Sequence, residues 1–401
     1  MPPSGPTPQP IRIARIITRL NVGGPAIQAI EMSARFERAG AHTLLVHGRL
    51  GPDEGDMRYL VPADRRFEMA YVPSLRRDVH PIADLAATTR VFQLLRRFRP
   101  TIVHTHMAKA GTVGRAAALL YNATVSRDRR ARLVHTYHGH VLDGYFSAWA
   151  ARGFTAMERA LAGRTDALIA VSESVRRDLV DRHRVGSAER FRVVPLGLDL
   201  SRLAAIGERD RSAARAAFRL DSDARVVAFV GRLTGIKQPQ LFVDAAARVA
   251  TADRRARFVI AGGGELETAV RSHIAERGLS DRIQCLGWQR DAAAVHAASD
   301  LVIVTSRNEG TPVALIEGMA AAVPGVCFDV GGVRDVVSGP DVGVLVSAGD
   351  VDALAHAIER LLADDRGRTA MGARARTSVV ERFSVDRLER DLAALYLELV
   401  G

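Results

Sequence analysis

Residues 225–238 read RVVAFVGRLTGIKQ, and the fold is decided by how this stretch is parsed. Val226–Val230 is an unbroken apolar run, short enough for a strand buried on both faces. Gly231 ends the run, and a helical period opens at Pro239–Val249. Strand, glycine turn and helix in direct succession make half of a βαβ unit. The same succession recurs on both sides. Toward the C-terminus, strands are expected at Arg257–Ile260, Ile283–Leu286, Leu301–Thr305, Gly325–Phe328 and Val342–Val346, with a helix at Leu266–Arg277. Toward the N-terminus they are expected at Arg12–Ile17, Thr43–Val46, Thr101–His104, Leu133–Tyr137, Ala167–Val171 and Arg192–Val194. Amphipathic stretches at Ala26–Ala39, Thr89–Phe98 and Gly111–Tyr121 lie between these. The expectation is an α/β protein of two doubly wound domains in tandem, joined within Pro195–Leu203, with the arginine- and alanine-rich Ala204–Arg219 leading into the second. The length of 401 residues, two to three times that of a usual domain, agrees.

Composition narrows the class further. At 47% hydrophobic and 25% charged, the chain reads as an ordinary globular protein, excluding bulk disorder, collagen-like repeats and coiled coils. No apolar run approaches the roughly 18–20 residues needed to span a bilayer. The start, MPPSGPTPQP, has no charged or apolar leader regions and reads as a disordered lead over residues 1–10. Cys285 and Cys327 sit in apolar surroundings and offer no disulfide framework, so a cytosolic location is expected. The net charge of +11 is unevenly spread: residues 1–200 carry 30 basic and 18 acidic side chains, residues 201–401 carry 26 and 27. Clusters at Arg76-Arg77, Arg96-Arg97-Arg99 and Arg127–Arg132 point to an anionic partner for the first half. Aromatics are only 5% of the chain and do not interleave with these arginines, which favours a membrane face over nucleic acid. Only two of the 56 cations are lysines, Lys109 and Lys237.

In open α/β sheets ligands bind beyond the carboxyl ends of the strands, so chemistry is sought there. Asn21-Val22-Gly23-Gly24-Pro25 follows the first strand, and its glycines let backbone amides approach a phosphate or sugar; a plain tight turn is the simpler reading. His104, His106, His135, His138 and His140 cluster at the ends of two strands, which suits a polar cleft better than a metal centre, since no cysteine or carboxylate completes a ligand spacing. Lys109 opens a helix, a poor place for a cation unless an anion is near. Arg232 and Lys237, five apart across a glycine turn, can converge on one diphosphate. After Leu301–Thr305, the run Glu309-Gly-Thr-Pro-Val-Ala-Leu-Ile-Glu317 places one carboxylate before a helix and one inside it, with Thr311 expected as N-cap and Pro312 as first helical residue. Gly262-Gly263-Gly264 supplies another close-approach turn, and Trp288 a wall for a base. Asp221-Ser222-Asp223 precedes a strand and reads as a polar turn rather than a metal site.

Together, Glu309-x7-Glu317, Arg232 with Lys237, the Gly23-Gly24 loop and His138 in YHGH resemble the retaining GT-B glycosyltransferases of family 4, from about Ile11 to the C-terminus. The resemblance implies two Rossmann-like domains facing an interdomain cleft: residues 11–200 for the acceptor and 201–382 for the donor, with a last helix, about 383–401, returning to the first. It implies that Arg232 and Lys237 bind the donor diphosphate, Glu317 the ribose hydroxyls and Glu309 the donor sugar. It places His138 beside the transferred sugar and Gly23, Gly24, Gly264, Trp288 and Thr311 around the donor, leaving Lys109 as a candidate for acceptor or phosphate. The implied reaction moves a hexosyl unit from a nucleotide diphosphate sugar, a UDP-sugar by preference, to a hydroxyl acceptor with retention and without cofactor or metal. A lipid-linked acceptor in envelope polysaccharide or glycolipid synthesis would put the enzyme at the inner membrane face; a small polyol acceptor is the other choice. A nucleotide-sugar epimerase, a phosphorylase or a non-catalytic binder would share the fold. Two departures touch the donor phosphates: Pro312 has no N–H to give, and Lys237 is followed by Gln238-Pro239 instead of the frequent glycine.

Overall fold

A computed structural model describes residues 10–52, 54–139, 148–289 and 291–401. The chain divides into two compact units, one running to Gly197 and including Leu388–Gly401, the other spanning Leu198–Arg387. Most of the expected disordered lead, and His140, lie outside the described residues.

The first unit is built on β1 (Arg12–Ile17), α1 (Gly24–Arg38), β2 (His42–His47), β3 (Glu68–Tyr71), α2 (Pro81–Phe98), β4 (Ile102–His106), α3 (Ala108–Ala123), β5 (Arg132–Tyr137), α4 (Ala148–Ala162), β6 (Ala167–Ala170), α5 (Glu173–Arg177) and β7 (Phe191–Val193). Its seven strands are all parallel, in the order β3-β2-β1-β4-β5-β6-β7. The second unit contains α6 (Ser201–Ala204), α7 (Glu208–Ala217), β8 (Arg225–Val230), α8 (Pro239–Ala252), β9 (Ala256–Ala261), α9 (Glu267–Glu276), β10 (Ile283–Gly287), α10 (Ala293–Ala298), β11 (Leu301–Val304), α11 (Val313–Ala320), β12 (Gly325–Phe328), α12 (Val333–Val336), β13 (Gly343–Val346), α13 (Val351–Ala363) and α14 (Asp365–Phe383). Its sheet, also parallel throughout, runs β10-β9-β8-β11-β12-β13. Both are doubly wound Rossmann-like sheets, and in each the strand order reverses once, between β1 and β4 and between β8 and β11.

Apolar runs become strands here because helices cover both sheet faces. The core of the second unit gathers Val227, Phe229, Phe258, Ile260, Ile303 and Phe328 from strands with Phe242, Val249, Leu354 and Ile358 from helices. Two expectations need correction. The edge strand β3 was not foreseen, because EMAY is short and neither apolar nor alternating. Helix α2 starts at Pro81 instead of Thr89, since its first turns expose Ile82 and Leu85 and so hide the usual apolar period. The tripeptide Asp221-Ser222-Asp223 lies in the turn before β8, where Ser222 O accepts from Arg215. Among the described residues, no helix is long and apolar enough to cross a membrane.

The last helix, α15 (Val385–Val400), begins in the second unit and ends packed on the first. Tyr396 is fully buried, its ring 5.3 Å from Phe36, and its hydroxyl donates to His104 Nδ1 at 2.6 Å. Glu389 pairs with Arg35 at 2.9 Å and Glu398 with Arg192 at 3.1 Å. Replacing Tyr396 by Ala therefore removes a buried ring and is expected to destabilise the protein by about 3 kcal/mol or more, while Tyr396→Phe, losing only the hydroxyl, costs about 1 kcal/mol. Denaturant unfolding of the two variants checks the order and size of these losses.

Candidate functional site

The sharpest constellation lies in the second unit, at the carboxyl ends of β8 and β11, where the strand order reverses. The β8 loop delivers Lys237 and the β11 loop delivers Glu309, and Lys237 Nζ meets Glu309 Oε1 at 2.5 Å. The same oxygen accepts from Ser306 Oγ at 2.5 Å. Glu309 Oε2 takes no hydrogen bond from a described residue. An ammonium has three donors, so the Glu309 contact leaves two for another anion.

Backbone hydrogen bonds stitch the surrounding loops together. Arg307 N donates to Ile236 O at 2.8 Å, Leu233 N to Gly263 O at 2.9 Å, Leu266 N to Leu233 O at 3.0 Å, and Gly332 N to Glu309 O at 2.8 Å. Thr305 Oγ1 donates to the carbonyls of Lys237 and Gln238. Such closeness requires glycine at specific points. A Cβ on Gly264 (φ +153°) would lie 2.6 Å from Leu233 O, and one on Gly331 (φ +47°) 2.2 Å from Glu309 O. Gln238, at the position where the resemblance led to an expected glycine, adopts φ 47° and ψ 53°, a left-handed backbone.

Arg232 is exposed and makes no side-chain pair with a described residue, so its guanidinium is available to an anion. The helix start needs correction. Pro312 has ψ 85° and serves as the cap, with Leu315 N and Ile316 N both bonding its carbonyl, so α11 begins at Val313. Thr311 precedes a proline, which disfavours helical backbone, and it does not cap. Among the described residues its buried Oγ1 has no partner, nor does that of Thr234 in the β8 loop. No side chain caps α11, so its leading amides remain free for a ligand. Glu317 lies one turn inside the helix, partly exposed. Trp288 follows the sheet-edge strand β10 and is 47% exposed; Gly262 N, bonding Gly287 O at 2.8 Å, connects that edge to the glycine loop after β9.

The first unit has its own reversal point, between β1 and β4. Gly23 (φ 149°) caps α1 without a side chain, and Gly24 and Pro25 open the helix. Lys109, near the start of α3, pairs with Asp84 of α2 at 2.6 Å. That carboxylate is an anion beside the helix start from within the protein itself. His138, one strand further along, meets His106 Nδ1 through its Nε2 at 3.1 Å. Among the described residues His106 Nε2 is buried without a partner, and the tautomer of the two rings sets which of them donates in the His106–His138 contact. His104 accepts at Nδ1 from Tyr396 and Arg15, and Nε2 donates to Thr136 at 2.7 Å. His135 is hydrogen-bonded to Thr105. Among the described residues no group of His, Cys, Asp and Glu is arranged to hold a metal.

Sequence reading missed Ser306, Thr234, Gly331 and the His106–His138 contact. Ser306 sits three residues before Glu309 and might have been paired with it; the others depend on neighbours far away in the chain.

Comparison with known proteins fits this geometry. The family model for Glycosyltransferase Family 4 matches residues 22–202, and that for Glycosyl transferases group 1 matches residues 210–378. The chain belongs to the family 4 glycosyltransferases of the GT-B fold. Its enzyme class is thereby glycosyltransferase. It is 28% identical over 346 residues to the UDP-Gal:alpha-D-GlcNAc-diphosphoundecaprenol alpha-1,3-galactosyltransferase of Escherichia coli, covering 85% of this chain and 86% of that protein. It is 34% identical over 321 residues to the D-inositol 3-phosphate glycosyltransferase of Salinispora tropica, covering 75% of this chain and 64% of that protein. The chain thus spans less than two thirds of the length of these inositol phosphate relatives. In structure it resembles Anabaena HepE in complex with UDP and glucose (TM-score 0.81, 21% identity, 97% of this chain and 100% of that one). It also resembles the sucrose-phosphate synthase of Thermosynechococcus elongatus (TM-score 0.80, 22% identity, 97% and 99%). At these identities the structural likeness carries the fold.

Burial holds His104, His106 and His135 well below the usual imidazole range and pushes His138 down to about 3. Each is neutral when folded and takes up a proton on unfolding once the pH falls below about 6.5. Their contribution is therefore complete above pH 6.5 and declines through the window down to the folded values, by up to about 1.4 kcal/mol per pH unit for each histidine. Unfolding between pH 5 and 6 should take up more than one proton; an uptake of one or fewer, from the pH dependence of denaturant unfolding, would contradict this.

Proposed function

We propose that the protein transfers a hexosyl unit from a UDP-sugar to a hydroxyl acceptor with retention at the anomeric carbon. The observation that carries the reading is the Lys237–Glu309 pair at the reversal point of the second sheet. In the reaction a bond between the anomeric carbon and a diphosphate oxygen breaks, leaving negative charge on the diphosphate and positive character on the sugar. Lys237, Arg232 and the amides opening α11 form a fixed positive field for the leaving group. Glu309 receives sugar hydroxyls through its uncommitted oxygen, and Glu317 receives those of the ribose. The close glycines around Gly264, with Thr311 nearby, let backbone approach the donor, and Trp288 borders the base. In the first unit, His138 takes the role beside the transferred sugar and Gly23-Gly24 offers amides to phosphate. No metal is assigned a part. The acceptor then attacks the face the diphosphate leaves, which gives retention without a covalent intermediate.

The Escherichia coli relative is named for a UDP-sugar donor and a diphosphoundecaprenol-linked acceptor, and the HepE structure holds UDP and glucose. These support UDP as the base carrier and an acceptor carried by lipid, in envelope polysaccharide or glycolipid synthesis. The first unit presents a surface suited to such an acceptor. Val79, Ile82 and Leu85 are 69%, 77% and 70% exposed around the start of α2, and Arg77, Arg90, Arg96 and Arg97 are exposed nearby in sequence. Apolar side chains with arginines suit insertion at an anionic membrane face.

Lys237→Ala and Glu309→Ala should each lower turnover at least about 10²-fold, with thermal melting showing an intact fold. A folded Lys237→Ala protein with full turnover would sink the assignment. UDP release that depends on added acceptor separates a transferase from an epimerase or a binder. Co-sedimentation with vesicles should rise with the fraction of anionic lipid and fall with salt, and Ile82→Glu with Leu85→Glu should weaken it. Binding indifferent to anionic lipid would remove the membrane surface from the proposal.

A further inference from the structure

His296 on α10 is fully buried, and among the described residues neither of its ring nitrogens has a hydrogen-bond partner. A buried polar side chain left unpaired calls for an explanation, because an apolar residue of similar shape would fill the space more stably. The surroundings have been shaped to admit this ring. Gly318 of α11 lies against it, and a Cβ there would stand 3.2 Å from His296 Nδ1 and 2.8 Å from Val302 Cγ1. On the other side, His296 Nε2 is 3.7 Å from Glu317 Oε2, longer than a hydrogen bond but within ion-pair reach. Among the described residues, Glu317 is the one carboxylate at that distance from the ring. The carboxylate therefore has a buried side toward an imidazole and an exposed side toward solvent.

We propose that His296 is a positioning residue for Glu317: its Nε2–H holds the inner carboxylate oxygen so that the outer oxygen faces the ribose hydroxyls of a bound nucleoside diphosphate. This rests on the reading of Glu317 as the ribose-binding carboxylate. A proton on Nε2 points at Glu317, the one carboxylate at ion-pair distance among the described residues. A small movement of the carboxylate closes 3.7 Å to a charge-assisted hydrogen bond. Two ribose hydroxyls donating to the outer oxygen then meet a group already oriented, which strengthens nucleotide binding without His296 touching it.

Calorimetric titration of the full chain with UDP and with 2′,3′-dideoxyuridine diphosphate tests the assignment. Wild-type protein should prefer UDP. His296→Phe should weaken UDP about tenfold and leave the dideoxy nucleotide nearly unchanged, so that the preference collapses. His296→Gln, which keeps a donor, should restore part of it and carries the same comparison if the Phe variant does not fold. Equal losses for both nucleotides in a folded variant would mean that the imidazole merely fills space, and would overturn the proposal. Wild-type protein that binds both nucleotides equally would overturn the ribose reading of Glu317 itself, and the positioning role with it.

Discussion

In a parallel sheet every strand enters from one edge and every β-to-α loop leaves from the other. Both sheets here obey that constraint without exception, so the loops that can carry chemistry crowd onto one side of each unit. In the second unit the crowding is tight enough for the loops after β8, β9, β11 and β12 to hydrogen-bond to one another through their backbones. Glu309 sits at the centre of that mesh, its side chain held by Lys237 and Ser306 and its backbone carbonyl by Gly332. A carboxylate and an ammonium from different strands are thus set at fixed spacing before any substrate arrives, which is what electrostatic catalysis needs.

The first unit solves a different problem. Arg15, His104, His106 and His135 point into a space with almost no solvent, where charged groups would be costly. Histidine suits such a site because a neutral ring both donates and accepts, so His104 and His135 pair with neighbouring hydroxyls without adding charge beside the Arg15 guanidinium. The stacked rings of His104 and His106, 4.2 Å apart, pass from the hydroxyl of Tyr396 on α15 to the carboxyl edge of the sheet at His138. Arg115 and Tyr137 do the equivalent service for Glu158, anchoring α4 to β5 and α3.

Much of this was legible in the chain. Each interior strand lay within a residue or two of its expected bounds, because a double-sided apolar run flanked by glycine has few other uses. The pairing of Glu309 with Lys237 could be anticipated only as convergence on one ligand; their direct contact depends on two loops 72 residues apart. The pairing of Lys109 was hidden for a similar reason, since its partner Asp84 lies on the preceding helix. Thr311 misled locally: serine-like capping chemistry was overridden by the backbone restriction that Pro312 imposes on it. His296 gave no signal at all, being one histidine in an alanine-rich stretch, and only packing set it behind Glu317.

The chain's last helix has a consequence for how the protein comes into being. Tyr396 and Glu389 complete the first unit, yet they follow the whole second unit in the chain. During synthesis the N-terminal sheet must wait, with part of its polar interior unpartnered, while the entire second unit emerges and folds. The second unit faces no such delay, since all but the start of its residues arrive together and its core needs nothing from the other. A chain cut short before Glu389 would therefore carry its damage in the half translated first.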